Sequence, residues 1–279
     1  MSAPLAIWID GQPAPQARWT LDRALHYGDG LFETITVRAG ELRFEALHRA
    51  RLDEGCRRLQ IRLDTDAAWQ QARGIAQLHP ECTLKLLVSR GDAVARGYTP
   101  VGSEQPRVIA LVHAPPDETE YPQRVRVVTL RSVLGENPQL AGLKHCNRLE
   151  QVLARLELQS VNSDGQAAWE GLLGSSSGSL VSGTMSNVFL ELDGEWMTPA
   201  LESCGVAGVM RGVVLRETGT PGLSITTREI SMAALGRCTS MFLTNARMGV
   251  RAVQELDGRA LRQLDDVARL AARVQHLAR

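Results

Sequence analysis

The chain has 279 residues and balances 31 Lys plus Arg against 31 Asp plus Glu. That neutrality gives nucleic-acid binding no electrostatic support. At 44% hydrophobic and 22% charged residues, it has the composition of a soluble globular protein of one large or two ordinary domains. No apolar run approaches the roughly 20 residues of a membrane span, and no basic-then-apolar leader opens the chain. The five cysteines are scattered, odd in number and without a C-x-x-C pair. Reduced thiols in a cytoplasm are therefore expected, with no disulfide framework and no metal site.

In chain order, Pro4 to Asp10 reads as a strand closed by a turn at Gly11, and 19–27 as polar and irregular. Gly28-Asp29-Gly30 leads into two strands with a hairpin at Gly40. Helices are predicted over 45–60, with Leu52, Cys56 and Leu59 on one face, and over 66–78, with Trp69, Ala72 and Ile75 or Ala76 inward. Residues 82–89 and 107–114 read as strands. The paired prolines and acids of 113–122 stop both helix and sheet, and mark a linker between a domain at 1–112 and one at 123–279. Beyond it, 124–133 reads as a strand. Two strands joined by the Ser/Gly turn 174–179 follow, the second running unbroken to 192, before an Asp193-Gly194 hairpin. A helix over 208–217, a short helix capped by Ser231, two further strands and an amphipathic C-terminal helix complete an α+β pattern.

Residues 142–157 concentrate the chemistry. Leu149, Val152, Leu153 and Leu156 fall at i, i+3, i+4 and i+7, one apolar helical stripe, and Asn147 with Glu150 forms a capping-box pattern. Lys144 therefore precedes a helix start, in a connecting segment where functional side chains are common. Of the 31 Lys plus Arg, only Lys85 and Lys144 are lysines, leaving 29 arginines. Arginine neither loses its proton nor forms an imine; a lysine amine does both. Each lysine is thus a candidate nucleophilic amine.

The segment GLKHCNRLEQVLARLE (142–157) resembles the lysine segment of the fold-type IV pyridoxal-phosphate enzymes, closest to their aminodeoxychorismate lyase branch. The resemblance extends, in order and spacing, through RALHYGDGLFETITVRAG (23–40), HRARLDEGCRRL (48–59), SRGDAVARGYTP (89–100), SGTMSNVFLEL (182–192), GVAGVMRGVVL (205–215) and TNARMGVRAV (244–253). It implies a two-domain α+β fold like that of D-amino-acid and branched-chain aminotransferases, with the lysine in the C-terminal domain. It also implies pyridoxal 5'-phosphate as cofactor, a small-molecule substrate and a homodimer. The implied activity is conversion of 4-amino-4-deoxychorismate to 4-aminobenzoate and pyruvate, a step of folate biosynthesis.

The same resemblance assigns residues. Lys144 becomes the imine-forming lysine and general base. Arg51 matches the arginine that grips the phosphate, for which a planar fork of donors is suited. Val209 and Met210 match the helix start whose amides face the phosphate, with Gly205 and Gly208 allowing close approach. Ser182 stands where most of the family has a glutamate at the pyridine nitrogen. A hydroxyl gives no charge pairing there, which weakens the electron sink and suits elimination better than transamination. Tyr27 and Asn245 match substrate-side positions. In the segment 89–98, which resembles a loop of the lyase branch that reaches over the site, Arg96 is the better and Arg90 the lesser candidate for a substrate carboxylate and Tyr98 shapes the pocket, with Arg247 a third carboxylate candidate. The acid for the leaving group is Lys144 itself, Thr34 or Thr36. Two other readings stay open: an aminotransferase of the same fold, which should carry Glu at 182 and lack the two-arginine loop, and a cofactor-binding homologue with weak catalysis.

Overall fold

A computed structural model of the chain describes residues 6–13, 21–93, 97–115, 121–163, 168–216, 224–263 and 265–277. It divides into two compact units, Met1–Pro116 with Leu143–Asn147, and Asp117–Gly142 with Arg148–Arg279. The chain passes between them at 116–117, within the predicted linker, of which 116–120 lie outside the described residues.

The first unit is built on an antiparallel sheet. Its strands are β1 (Ala6–Ile9), β2 (Gln12–Pro13), β3 (Gly30–Arg38), β4 (Glu41–Leu42), β5 (Cys82–Ser89) and β6 (Arg107–His113), in the order β2-β1-β6-β5-β3-β4. Along β3 the period of two puts Leu31, Glu33, Ile35 and Val37 on the buried side and Phe32, Thr34 and Thr36 on the other. Helix α2 (Glu45–Leu59) brings Leu52 and Cys56 to the same core, and α3 (Thr65–Leu78) brings Trp69, Ala72, Ile75 and Ala76, the faces that the helical period predicts. Asp64 caps α3 by accepting the Ala67 N–H at 3.0 Å. The stretch expected to be irregular contains a helix, α1 (Arg23–Tyr27). It is too short to show a period; Asp22 caps it, accepting the Ala24 N–H at 2.8 Å, and Gly28 ends it at φ 65°.

The second unit holds a mixed sheet. Its strands are β7 (Arg124–Leu134), β8 (Glu170–Ser175), β9 (Leu180–Gly183), β10 (Asn187–Leu192), β11 (Glu195–Pro199), β12 (Ile225–Arg228), β13 (Cys238–Asn245) and β14 (Gly249–Leu256), with β15 (Arg259–Ala260) beside β14. The order is β12-β11-β10-β13-β14-β7-β8-β9. Helices α4 (Leu149–Ser163), α5 (Val209–Arg216) and α6 (Asp265–Leu277) belong to this unit, and Val267, Leu270 and Val274 of α6 are buried. Among the described residues no helix is long and apolar enough to cross a membrane.

Four expectations need correction. The unbroken strand to 192 is two strands, β9 and β10, separated by a turn at 184–186. The apolar stripe of α4 does not face the unit's core. Leu149, Val152, Leu153 and Leu156 are more than half exposed, while Ala154 and Leu158 pack against Val128, Leu130 and Leu173. Periodicity marks an apolar face but does not say what covers it. The capping box is not made either: the Asn147 amide donates to the Gly28 carbonyl at 3.4 Å, and Glu150 accepts the Gly135 N–H at 2.9 Å.

The lysine segment is the fourth. Leu143–Asn147 belongs to the first unit, not to the C-terminal one. β4 pairs only with the far end of β3, at Val37 and Arg38. On that side of β3 the lysine segment pairs with its beginning: Phe32 N–H donates to the Lys144 carbonyl and Cys146 N–H to that of Gly30, both at 2.9 Å. Satisfying such strand-edge groups is what draws the segment across.

Candidate active site

In the first unit the antiparallel bridge Leu31–His145 sets Lys144 directly across from Phe32. Cross-strand partners project to the same face, and the Lys144 Nζ lies 4.2 Å from the centre of the Phe32 ring. Lys85, opposite Thr34 on β5, places its Nζ 5.1 Å from the same ring. The only two lysines of the chain therefore meet one aromatic side chain, a favourable place for a cation.

On the buried face of the same strand, Glu33 is 1% exposed. It accepts from His48 Nδ1 at 2.6 Å, from Arg51 Nε at 2.8 Å and from Arg51 Nη2. Burial pushes the Glu33 carboxyl upward, but the Arg51 charge and the bonds from His48 and Arg51 outweigh it and hold the pKa at about 2. Burial depresses His48, and the Arg51 and Lys144 charges add to that against the pull of Glu33. His48 is thus a neutral hydrogen-bond donor to Glu33 rather than half of an ion pair. Arg51 is the sequence-predicted phosphate residue; the structure shows it anchored by Glu33, which fixes the direction of its guanidinium.

A second cluster holds Arg90 and the Tyr98 carbonyl. Asp29 accepts from Arg23 Nε at 2.8 Å and from Arg90 Nε and Nη2 at 2.7 and 3.0 Å. Burial raises the Asp29 carboxyl, but the hydrogen bonds and charges of Arg90 and Arg23 bring it below its ordinary value. Arg90 also donates to the carbonyls of Leu59 and Gln60, at 2.7 and 3.0 Å. Its donors serve the fold, so the role suggested for it at a substrate carboxylate needs correction. Buried Arg23 donates to the Tyr98 carbonyl at 2.6 Å and lies 5.0 Å from the Tyr27 ring. The rings of Tyr27 and Tyr98 meet edge to face at 5.3 Å. The two tyrosines expected at the substrate side are thus brought together; Arg96 lies outside the described residues.

In the second unit Ser182 is buried on β9, opposite Leu173 of β8. Val209 and Met210 open α5, also buried. The glycines before them have a different reason from the one expected. A Cβ on Gly208 would overlap the Asn187 Oδ1, and one on Gly205 would meet Val181 and Leu201. These glycines let the loop pack against its own unit. Asn245 uses its Oδ1 to accept the N–H groups of Arg247 and Met248, both at 2.9 Å, and its Nδ2 donates to the Met185 carbonyl at 3.3 Å. Its amide shapes a turn. The Arg247 guanidinium lies 5.6 Å from the Tyr121 ring.

Four residues were missed by sequence reasoning: Glu33, His48, Arg23 and Glu170. The signal for Glu33 was present, since it interrupts the Leu31, Ile35, Val37 face of a period-two strand, and such an acid must be paired. Glu170 opens β8, a strand buried at every position, and carries the same signal.

This chain belongs to the class IV aminotransferase family, whose model, Amino-transferase class IV, matches residues 30–256. The aminodeoxychorismate lyase of Vibrio harveyi is 32% identical over 250 residues, spanning 88% of this chain and 89% of its own. The crystal structure of 4-amino-4-deoxychorismate lyase from Pseudomonas aeruginosa is 40% identical with a TM-score of 0.89, covering 97% of this chain and 98% of that one. The branched-chain amino acid aminotransferase of Escherichia coli shares the fold at 17% identity, with a TM-score of 0.85 over 99% of this chain and 95% of its own.

Proposed function

We propose that this chain is a pyridoxal-phosphate-dependent lyase that converts 4-amino-4-deoxychorismate to 4-aminobenzoate and pyruvate, within folate biosynthesis. The observation that carries this reading is the placement of Lys144: an amine held by backbone pairing to β3, on the Phe32 ring. The likeness to two lyases over nearly the whole chain supports it. Ser182, where an aminotransferase of this fold should carry glutamate, favours elimination over transamination.

The cofactor is pyridoxal phosphate, which when bound supplies an electron-accepting ring. The donor set fits it. The first unit offers an amine and a guanidinium that Glu33 anchors. The second offers the amides of Val209 and Met210 at a helix start and the Ser182 hydroxyl. We assign Lys144 to the covalent bond, Arg51, Val209 and Met210 to the phosphate, and Ser182 to the pyridine nitrogen. Glu33 and neutral His48 keep Arg51 aimed.

Lys144, once free of the cofactor, takes the proton from substrate C4, and loss of the enolpyruvyl group as pyruvate leaves an aromatic ring. Thr34 is the better candidate to protonate the leaving group. It is half-buried on the face that carries Phe32, opposite Lys85, whereas Thr36 is nearly closed off further along β3. Tyr27 and Tyr98 flank the substrate, and Arg96 and Arg247 bind its carboxylates. Asn245 contributes through the turn it shapes. The enzyme works in the cytoplasm as a homodimer, a state supported by the exposed Leu149, Val152, Leu153 and Leu156 of α4.

The test supplies purified protein with 4-amino-4-deoxychorismate, made in situ by a synthase, and follows 4-aminobenzoate by fluorescence. Product formation is expected. Failure to form it, with a keto acid appearing from D-alanine or a branched-chain amino acid, would make the protein an aminotransferase instead.

A further inference from the structure

Glu170 is fully buried at the first position of β8. Its Oε1 accepts the N–H of Gly171 at 3.0 Å, that of Thr184 at 3.1 Å, and the Thr184 hydroxyl. Its Oε2 accepts the N–H of Met185 at 3.1 Å and the Ser186 hydroxyl at 3.0 Å. Five donors converge on one carboxylate, four of them from the turn that separates β9 from β10. Ionised carboxylate is an acceptor only, and bonds to it are stronger than neutral ones. The turn also lies hard against it: a Cβ on Gly183 would come within 2.9 Å of Oε2 and would overlap the Ser186 hydroxyl.

Two residues, one on each side of this turn, lead elsewhere. Ser182 is the last residue but one of β9. Asn187, the first of β10, donates from Nδ2 to the Val206 carbonyl at 2.9 Å, and its Oδ1 occupies the space that a Cβ on Gly208 would need. The next residue after Gly208 opens α5. One continuous set of contacts therefore runs from Glu170 through the 184–186 turn to Asn187, and from Asn187 to the backbone that enters α5.

We propose that Glu170 is a positioning residue for cofactor binding: through this turn it sets Ser182 on one side and, by way of Asn187, the amides of Val209 and Met210 on the other. The inference rests on the proposed roles of Ser182 and α5 toward pyridoxal phosphate. Glu170 acts through the turn and does not itself touch the cofactor. Glutamine is the informative substitution, since it keeps the size but turns an NH2 toward hydrogen-bond donors. One pair of turn donors then loses its acceptor.

The test measures the dissociation constant of pyridoxal 5'-phosphate for the apo-protein by equilibrium dialysis, well below each variant's unfolding temperature. Glu170→Gln is expected to weaken binding by about tenfold or more. Thr184→Val and Ser186→Ala are expected to weaken it less, and Thr184→Val to add little on top of Glu170→Gln, because both act through one turn. A Glu170→Gln protein with a lowered unfolding temperature but an unchanged dissociation constant would overturn the proposal, leaving Glu170 a structural residue. If Glu170→Gln does not fold, Thr184→Val and Ser186→Ala decide: weakened cofactor binding supports the proposal, and unchanged binding in both overturns it. A wild-type protein that takes up no cofactor would remove the functional reading first, and this inference with it.

Discussion

Lys144→Ala is expected to lower lyase turnover by on the order of 10³-fold or more, because one substitution removes both the covalent tether and the general base. Lys144→Arg should be no better: it keeps the charge but neither forms an imine nor gives up a proton. Lys85→Ala is the matched control. It removes the other amine beside Phe32, yet Lys85 sits on β5, between β3 and β6, and should leave cofactor attachment intact. The contrast is measured by the visible absorbance that purified protein retains and by 4-aminobenzoate formation. Loss of attachment in the Lys85 variant, with retention in the Lys144 variant, would exchange their roles.

Glu33→Gln is expected to carry the largest cost in stability. It leaves the Arg51 guanidinium, of which little is exposed, without its counter-charge, a change of about 3–5 kcal/mol when a buried pair is broken from one side. It should also release Arg51 from its fixed direction and weaken phosphate binding. The wild type has a matching dependence on acid. The Glu33 carboxyl is held at about 2, against 4.5 for an unperturbed glutamate. Between those values the unfolded chain takes up a proton that the folded one refuses. The stabilisation is therefore full above 4.5 and is lost progressively as pH falls toward 2, about 3 kcal/mol in all. His48, depressed by burial, acts in the same sense as the pH drops below its ordinary 6.5. Chemical denaturation at pH 7, 4.5 and 3 should show wild-type stability falling steeply across the lower interval and the Glu33→Gln protein falling less. Parallel profiles would contradict the assignment.

How much could be read from residues alone depends on the kind of signal. The α2 and α3 faces were legible because burial there follows a strict helical period, and Leu52, Cys56, Trp69 and Ala72 lie where that period puts them. The period of α4 was equally clear but misleading, since Leu149, Leu153 and Leu156 point away from the unit's own core while Leu158 packs into it. Lys144 stood out by rarity in an arginine-rich chain, yet its membership of the first unit depends on pairing with residues more than a hundred positions earlier, which no local pattern encodes. Arg51, Ser182, Val209 and Met210 were named by resemblance. The acids that order their surroundings, Glu33 and Glu170, were marked only as charges in otherwise apolar strands. Asn245 and Arg90 show the opposite failure: polar residues in family-like segments whose donors and acceptors are largely taken up by backbone groups and by Asp29.

The assignment of Lys144 is tested by reducing the holoenzyme with borohydride, digesting it and locating the pyridoxyl group by mass spectrometry. The adduct is expected on the peptide that carries Lys144 and not on the peptide that carries Lys85. An adduct on Lys85, or no adduct on either lysine of a protein that still forms 4-aminobenzoate, would contradict it.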